Sequence, residues 1–394
     1  MKQTLTFVPS TIASTQSKMN VDAFDASLDA FDKKEYLKSF HTLLDYINPE
    51  FRSKYGNSEG TQFTIPHGSI MVNIRIEDEM LKIDAPFLAL PEKNRVAFMR
   101  QVATLNMNNL ILAQIVLKDD KFKFEYSCPL SLVEPYKMYY MLEDICYTGD
   151  KYDDEFAEKF GAVRIYEPKV EPYSQDSVNE IYDIIQSSCK ECMEALTYFE
   201  GQRKYGFAWN VVTSTILKVL YHSHPQGQLL NNLNKAICDL DRENMPLPEI
   251  VEDGKKEVEK LQAMTREKLA ENLYYVETFI PDKRRSNLKN VQENFESTYQ
   301  KAETSYAQKD HIACCMMIVH QFYRLYFYNN VQDDINAVVA NALQKSSAQS
   351  FETAAPILFN AMKNIMNGNL DAKNKTGEEK GFRKLFSSLF GSSK

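Results

Sequence analysis

The alternation that decides the fold class of this chain runs Ser69-Ile70-Met71-Val72-Asn73-Ile74-Arg75-Ile76. Every second residue is Ile or Val, and because successive strand side chains point to opposite faces, this period of two predicts a half-buried strand. The turn residues Glu77, Asp78 and Glu79 follow, and residues 81–85 then alternate again. The two segments therefore predict an antiparallel hairpin.

Helices are predicted on both sides of this hairpin. Apolar residues recur at spacings of three and four over residues 28–47, until Pro49 disfavours further helix. A second helix is predicted from Pro91, which suits a first helical turn, to about Asn106. The apolar stripe of this second helix consists of Val96, Met99, Val102 and Leu105.

A second hairpin follows in the sequence. Residues 110–117 form a nearly continuous apolar run, which predicts a strand covered on both faces. Residues 122–128 alternate after a charged turn, and two further helices are predicted over residues 136–163. This order predicts an α+β domain over residues 24–165, with about five antiparallel strands and packed helices.

One local segment of this domain also suggests a family, and it reads Pro86-Phe87-Leu88-Ala89-Leu90-Pro91-Glu92. It leads into the helix that ends at Leu105-Asn106, and the strand 111–117 and the charged hairpin follow. In this pattern residues 25–163 resemble the YbjN family, whose domain looks like the type III secretion chaperone fold. The resemblance implies an adaptor, a regulator, or a chaperone that binds extended client segments along apolar surface. The long helical extension of this chain departs from both groups.

The second half of the chain is predicted to be an all-α domain over residues 174–366, after a proline-stiffened linker at 166–173. Without a convincing 34-residue repeat, an irregular bundle is favoured over a solenoid. The polar residues 1–23 are predicted to be a flexible arm. The candidate helices cover residues 174–200, 208–222, 228–242, 250–279, 287–308, 311–329, 333–345 and 351–366.

Composition restricts the classes of partner. A formal net charge of −8 argues against nucleic acid, because phosphate binding needs a basic surface. The N-terminus lacks the apolar core of a secretory signal, and no run approaches the roughly 18 apolar residues of a membrane span, so a cytoplasmic protein is predicted. The seven cysteines are irregularly spaced, which does not indicate a disulfide framework.

Candidate catalytic motifs are few. Cys189 and Cys192 have redox spacing, but the predicted helix begins well before them, so no helix N-terminus lowers their pKa. The chain lacks a nucleophile elbow and a glycine-rich phosphate loop. We therefore expect no catalytic residue, no cofactor and no metal ion.

A metal-dependent enzyme is the alternative hypothesis, and it rests on histidines and cysteines of the helical domain. His222 with His224, or His311 with Cys315, supplies only two ligands in each case. A zinc site uses four protein ligands, or three protein ligands and a water molecule. The first pair is also typical of a helix C-terminus before Pro225. The second pair lies on a helix that is apolar nearly all round, which indicates a core helix.

The C-terminal residues 367–394 are predicted to be a polar tether followed by an amphipathic docking peptide. Burying five apolar side chains gains about 7 to 15 kcal/mol, while ordering the peptide costs about 10 to 20 kcal/mol. The peptide therefore needs a preformed groove, either on a partner or on this chain, and a membrane is the receiver that we favour least. Its apolar side chains are Phe382, Leu385, Phe386, Leu389 and Phe390.

These observations predict a non-enzymatic cytoplasmic adaptor or chaperone-like regulator that binds apolar or extended segments of partner proteins. Binding is expected on the sheet or between the domains, with the docking peptide as a second contact. A homodimer is compatible with the same patterns. The second alternative is a structural helical scaffold, which would lack an exposed apolar binding surface.

Overall fold

The computed structural model describes residues 3–10, 19–281 and 283–370 of the chain. Within these residues an antiparallel sheet with packed helices is followed by a helical region, which confirms the predicted fold class. The docking peptide lies outside the described residues, as does most of its tether. That peptide contains Phe382, Leu385, Phe386, Leu389 and Phe390.

The sheet has the order β1-β2-β3-β5-β4, with the short β6 paired to the end of β3. All of its pairs are antiparallel, and Ile74 lies opposite Ile83 in the hairpin that the alternating sequence predicts. Ile70, Val72 and Ile74 are buried as expected. The strands are β1 (Gln62–His67), β2 (Ile70–Glu77), β3 (Met80–Ala89), β4 (Gln114–Lys118), β5 (Lys121–Pro129) and β6 (Val163–Arg164).

Five helices accompany the sheet within the described residues: α1 (Val21–Asp32), α2 (Tyr36–Ile47), α3 (Phe51–Tyr55), α4 (Arg95–Asn108) and α5 (Pro135–Phe160). The prediction of one helix over 28–47 is wrong, because Lys34 adopts a φ of 62° and the chain folds back there. Pro91 also does not begin a helix, since Asn94 has a positive φ immediately before α4. The two helices predicted over 136–163 are the single helix α5.

The strand predicted over 110–117 is shorter and less covered than expected. It begins at Gln114 and lies at an edge of the sheet, whereas Ile111 and Leu112 precede it in an exposed loop. A continuous apolar run indicates burial only when other elements cover it. At this edge nothing in the described residues covers the side chain of Ile111, which is 82% exposed.

In the helical region, α7 and α12 pack together and are buried over most of their surface. This central pair explains why the sequence of α12 is apolar nearly all round. Within the described ranges, no helix combines the length and apolarity that crossing a bilayer requires. The helices are α6 (Gln175–Gly201), α7 (Tyr205–Ser223), α8 (Gly227–Leu240), α9 (Leu247–Ala263), α10 (Arg266–Ala270), α11 (Leu288–Ala307), α12 (His311–Tyr328), α13 (Asp333–Ser346) and α14 (Phe351–Met366).

The prediction of one helix over residues 250–279 is wrong. The chain leaves α9 at Ala263, forms the short α10, and then becomes the strand β8 (Tyr274–Val276), which pairs with β7 (Val170–Pro172). The predicted linker therefore belongs in part to a two-stranded sheet rather than acting as a free spacer. A second small pair, β9 (Arg284–Arg285) with β10 (Asn329–Asn330), is parallel.

The segment between these two small sheets joins the two parts of the molecule. Phe279 and Ile280 are buried in the core of the sheet part, where the ring of Phe279 lies 5.6 Å from that of Phe51. The backbone N–H of Phe279 donates to Nδ1 of His67 at 3.1 Å. Two side chains from the second half of the chain, Phe279 and Ile280, thus complete the core of the α+β domain, which the sequence predicts to end at residue 165.

Candidate interaction surfaces

Helix α4 has apolar side chains on two faces. Its inner face is buried against the sheet and α5 and consists of Phe98, Val102 and Leu105. Its outer face is exposed and consists of Val96, Met99, Ala103 and Met107, at spacings of three and four residues. The predicted stripe mixed the two faces, because Val96 and Met99 are exposed while Val102 and Leu105 are buried.

The sequence continues with another exposed apolar residue shortly after the end of α4. Val96 is 59% exposed and Met107 is 83% exposed, and Ile111 follows in the next loop. We call Val96, Met99, Ala103, Met107 and Ile111 the α4 surface. Scattered exposed apolar residues are ordinary, but a contiguous set on one helix face is typical of a binding surface.

The amide of Asn106 fixes the orientation of α4. Its Nδ2 donates to the carbonyl of Ile115 at 3.0 Å, and its Oδ1 accepts from the N–H of Ile115 at 2.7 Å. This pair of hydrogen bonds joins the last turn of α4 to the edge strand β4. It also occupies main-chain groups of Ile115 that an added strand would use, so it protects the edge of the sheet.

Acidic and aromatic side chains of α5 border the α4 surface at Ile111. The N–H of Ile111 donates to the carboxylate of Asp144 at 3.3 Å, and the neighbouring Glu143 lies 3.6 Å from Arg284. Burial raises the pKa of both carboxyls. Tyr147, one turn further along α5 from Asp144, is exposed. A basic side chain of a partner placed here would offset the free-energy cost of burying these two carboxylates in their charged form.

The open face of the sheet is polar. Asp84 accepts from Arg75 at 2.7 Å and from Asn73 at 3.1 Å, and charged side chains of β3 and β5 continue this face. At the other edge, Phe63 of β1 is bridged to Gly56. The sheet therefore offers less apolar surface to a client segment than the α4 surface does.

The surface of the helical part binds the chain's own N-terminal segment, residues 3–10. The N–H of Thr4 donates to the carbonyl of Gln349 at 2.9 Å, and the Thr4 hydroxyl bonds the carbonyl of Ser346. Leu5 is buried, and the ring of Phe7 stacks on Tyr221. The prediction of a flexible arm is therefore wrong for these residues.

Charged side chains of α6 and α7 hold the centre of this segment. Glu191 accepts from both the N–H and the hydroxyl of Thr6 at 2.8 Å, and Lys218 donates to the carbonyl of Thr6 at 3.1 Å. Further along, Nδ1 of His222 donates to the carbonyl of Pro9 at 2.8 Å. Burial lowers the pKa of His222, so the imidazole that holds the segment is neutral at pH 7.

The other residues of the metal hypothesis lie in packed positions. His224 closes α7 with a φ of 42°, and burial lowers its pKa to about 4. Cys315 is buried with its Sγ 3.6 Å from the carbonyl of Phe351, while His311 begins α12 beside Tyr306. Within residues 3–10, 19–281 and 283–370, no group of three or more His, Cys, Asp or Glu side chains is arranged to hold a metal ion.

The cysteines with redox spacing lie in the middle of α6, as predicted. Both Cys189 and Cys192 are fully buried, and burial raises their pKa to about 12 and about 11. Their thiols therefore stay protonated at neutral pH, and the thiolate is the reactive form. Buried thiols of this kind act as small apolar side chains in the helical core.

Comparison of the chain with protein-family models and with curated proteins gives no match. The resemblance of residues 25–163 to the YbjN family and to the secretion chaperone fold therefore stays a prediction. The sequence contained one sign of an exposed apolar face, since α4 carries more apolar positions than one buried face can accommodate.

Proposed function

We propose that this chain is a non-enzymatic cytoplasmic adaptor that binds a partner protein through the α4 surface. The observation that supports this proposal is the exposure of the outer apolar face of α4, continued by Ile111. A folded protein gains free energy by covering such a face, because burial of each large apolar side chain contributes about 1.5 to 3 kcal/mol.

The partner segment is an amphipathic helix with a basic flank. A helix presents apolar residues at spacings of three and four, which match the spacing along the outer face of α4. Basic side chains next to its apolar face would lie against Glu143 and Asp144, at the Ile111 end of the surface. This charge pattern sets the direction in which the segment binds.

The complex is reversible. Four large side chains of the α4 surface supply about 6 to 12 kcal/mol of gross burial, while association costs about 4 to 15 kcal/mol in lost freedom. A binding surface of this size therefore supports a transient complex, as an adaptor requires, and a permanent one would need additional contacts.

The test compares two cross-linking forms and two lysine variants of the full chain. A photo-activated cross-linking side chain at Met107 is expected to capture a defined partner, and the same probe at Leu247, an exposed apolar residue of α9, serves as the matched control. Binding of the purified partner is then measured for Ile111→Lys and Leu247→Lys. We expect Ile111→Lys to weaken binding by about tenfold or more, which corresponds to about 1.4 kcal/mol, and Leu247→Lys to leave it unchanged.

A structural scaffold is the competing function. It predicts that the probe at Met107 captures no more protein than the probe at Leu247. That result would leave the α4 surface without an occupant and would contradict the adaptor proposal.

A further inference from the structure

The end of the described chain lies close to the start of α11. Gln292 of α11 donates to the carbonyls of Ile365 and Met366 at 3.0 and 3.1 Å, which fixes the end of α14. Gly368 then faces Leu288, so that a methyl group on Gly368 would lie 3.6 Å from Cδ2 of Leu288. The tether to the C-terminal peptide therefore starts beside the first turn of α11.

This exit point is a short distance from the acidic border of the α4 surface. Leu288 is four residues after Arg284, so the chain between them spans at most about 14 Å. The guanidinium of Arg284 lies 3.6 Å from the Glu143 carboxylate and 5.3 Å from the ring centre of Tyr140. Asp144, the next residue of α5, binds the N–H of Ile111.

The tether is long enough for this path. Residues 371–381 span about 36 to 40 Å when fully extended, and a flexible chain of this length has a root-mean-square span of about 17 to 20 Å. The path from Gly368 to Glu143 consists of one four-residue step, two direct contacts, and the side chains of Leu288 and Arg284, which gives about 35 Å at most. It falls within the span of the fully extended tether.

The chemistry of the peptide complements this surface. Its apolar residues have the helical spacing that fits the outer face of α4, and Arg383 and Lys384 interrupt them with two positive charges. Asp144 supplies an opposite charge at the Ile111 end, beside Glu143, which also pairs with Arg284. Met107 and Tyr147 supply exposed apolar area there.

We propose that residues 382–390 bind in cis to the Ile111 end of the α4 surface and compete there with the partner segment. This inference rests on the proposed function of the α4 surface, and it adds that the C-terminal peptide regulates partner binding there. A tethered peptide has an effective concentration near the millimolar range, so even a weak cis contact reduces the apparent affinity for a partner. A partner must then displace the peptide, or another protein must remove it.

The full chain provides the test. A photo-activated cross-linking side chain replaces Phe386, and a mixture of isotope-labelled and unlabelled chains separates cross-links within one chain from those between chains. We expect cross-links within one chain to residues 107–112 and 140–147. Ile111→Lys should reduce their yield by about tenfold, and Leu247→Lys should not.

Two outcomes would overturn the inference. Cross-links between chains would identify a second copy as the occupant, and cross-links to other surfaces, or none, would show that the peptide does not bind there. A separate measurement distinguishes this failure from failure of the adaptor proposal. If Phe386→Ser leaves partner affinity unchanged while Ile111→Lys weakens it, the α4 surface binds partners without cis competition.

Discussion

The ammonium nitrogen of Lys218 lies 3.2 Å from Oε2 of Glu191, and both side chains also bind Thr6 of the N-terminal segment. Lys218 is 1% exposed, so Oε2 of Glu191 and the carbonyl of Thr6 take the place of water as acceptors for its ammonium group. The pair binds the N–H, the hydroxyl and the carbonyl of one threonine. The N-terminal segment therefore completes the hydrogen bonding of this ion pair in the helical part.

Replacing both members of this pair should destabilise the protein less than the two single replacements added together. Lys218→Met removes the ammonium donor from Oε2 of Glu191 and from the Thr6 carbonyl, and we expect a loss of about 3 to 5 kcal/mol in the free energy of unfolding. The double variant Lys218→Met with Glu191→Leu should lose clearly less than the sum of the single variants. Urea unfolding measures all three, and additive losses would contradict the coupling.

Phe279 should stabilise the sheet part although it belongs in sequence to the second half of the chain. Its side chain is fully buried beside Phe51, so we expect Phe279→Ala to cost about 3 to 5 kcal/mol in the full chain. Thr278→Ala, at the preceding half-buried position, is the matched control and should cost less than about 1 kcal/mol. Equal losses in thermal unfolding would show that the insertion is unimportant.

A charged residue should be tolerated on the outer face of α4 but not on its inner face. Met107→Lys changes an exposed side chain, and we expect the free energy of unfolding to change by less than about 0.5 kcal/mol. Val102→Lys places an unpaired charge in the core and should prevent stable folding. Circular dichroism during thermal unfolding separates these results. A folded Val102→Lys protein would mean that the inner face is not the buried one.

Thiol chemistry should be confined to one cysteine in the native protein. All seven cysteines lie within the described residues, and of these only Cys238 is exposed. We expect a maleimide to modify one thiol rapidly under native conditions and all of them after denaturation. Cys238→Ser should abolish the rapid phase. Rapid labelling of Cys189 or Cys192 would contradict their burial.

His320 should make stability depend on pH. Its ring packs against Trp209 with ring centres 4.8 Å apart, and burial lowers its pKa to about 3. Because an exposed histidine has a pKa near 6.5, the unfolded chain binds more protons between about pH 6.5 and 3. The contribution of this group is complete above pH 6.5 and is lost as the pH falls.

At pH 5 this histidine alone should reduce the free energy of unfolding by about 2 kcal/mol relative to pH 8. From pH 8 to pH 5 we therefore expect the free energy of unfolding of His320→Leu to fall by about 2 kcal/mol less than that of the wild-type protein. Urea unfolding at the two pH values provides the comparison. Parallel losses in the two proteins would exclude His320 as a source of the pH dependence.

Several parts of the fold could be predicted from local patterns. The alternation at residues 69–76 gives β2 with its buried face, because the period of a strand is a property of the backbone itself. The helices of the second half, from α6 to α8 and from α11 to α14, agree with the spacing of apolar residues between turn signals. Cys189 and Cys192 were correctly placed within a helix for the same reason.

The α4 surface could not be predicted in this way. Val96 and Met99 have the same apolar character as Phe98 and Val102, so the pattern alone does not say which side chains are covered. The choice is made by contacts with the sheet, α5 and the Asn106 side chain. The same limitation affects residues 3–10, whose sequence gives no sign that Glu191 and Lys218 bind them.

By itself the sequence determined the two hairpins, most of the helices of the second half, and the order of a sheet part followed by a helical part. The tertiary structure alone decided that residues 274–281 run from a strand pair into the core of the sheet part, where Phe279 is buried, and that the outer face of α4 stays exposed. The physical reason is that periodicity reflects the local geometry of one element. Burial depends on which other element covers it, and in this chain those elements lie up to a few hundred residues away.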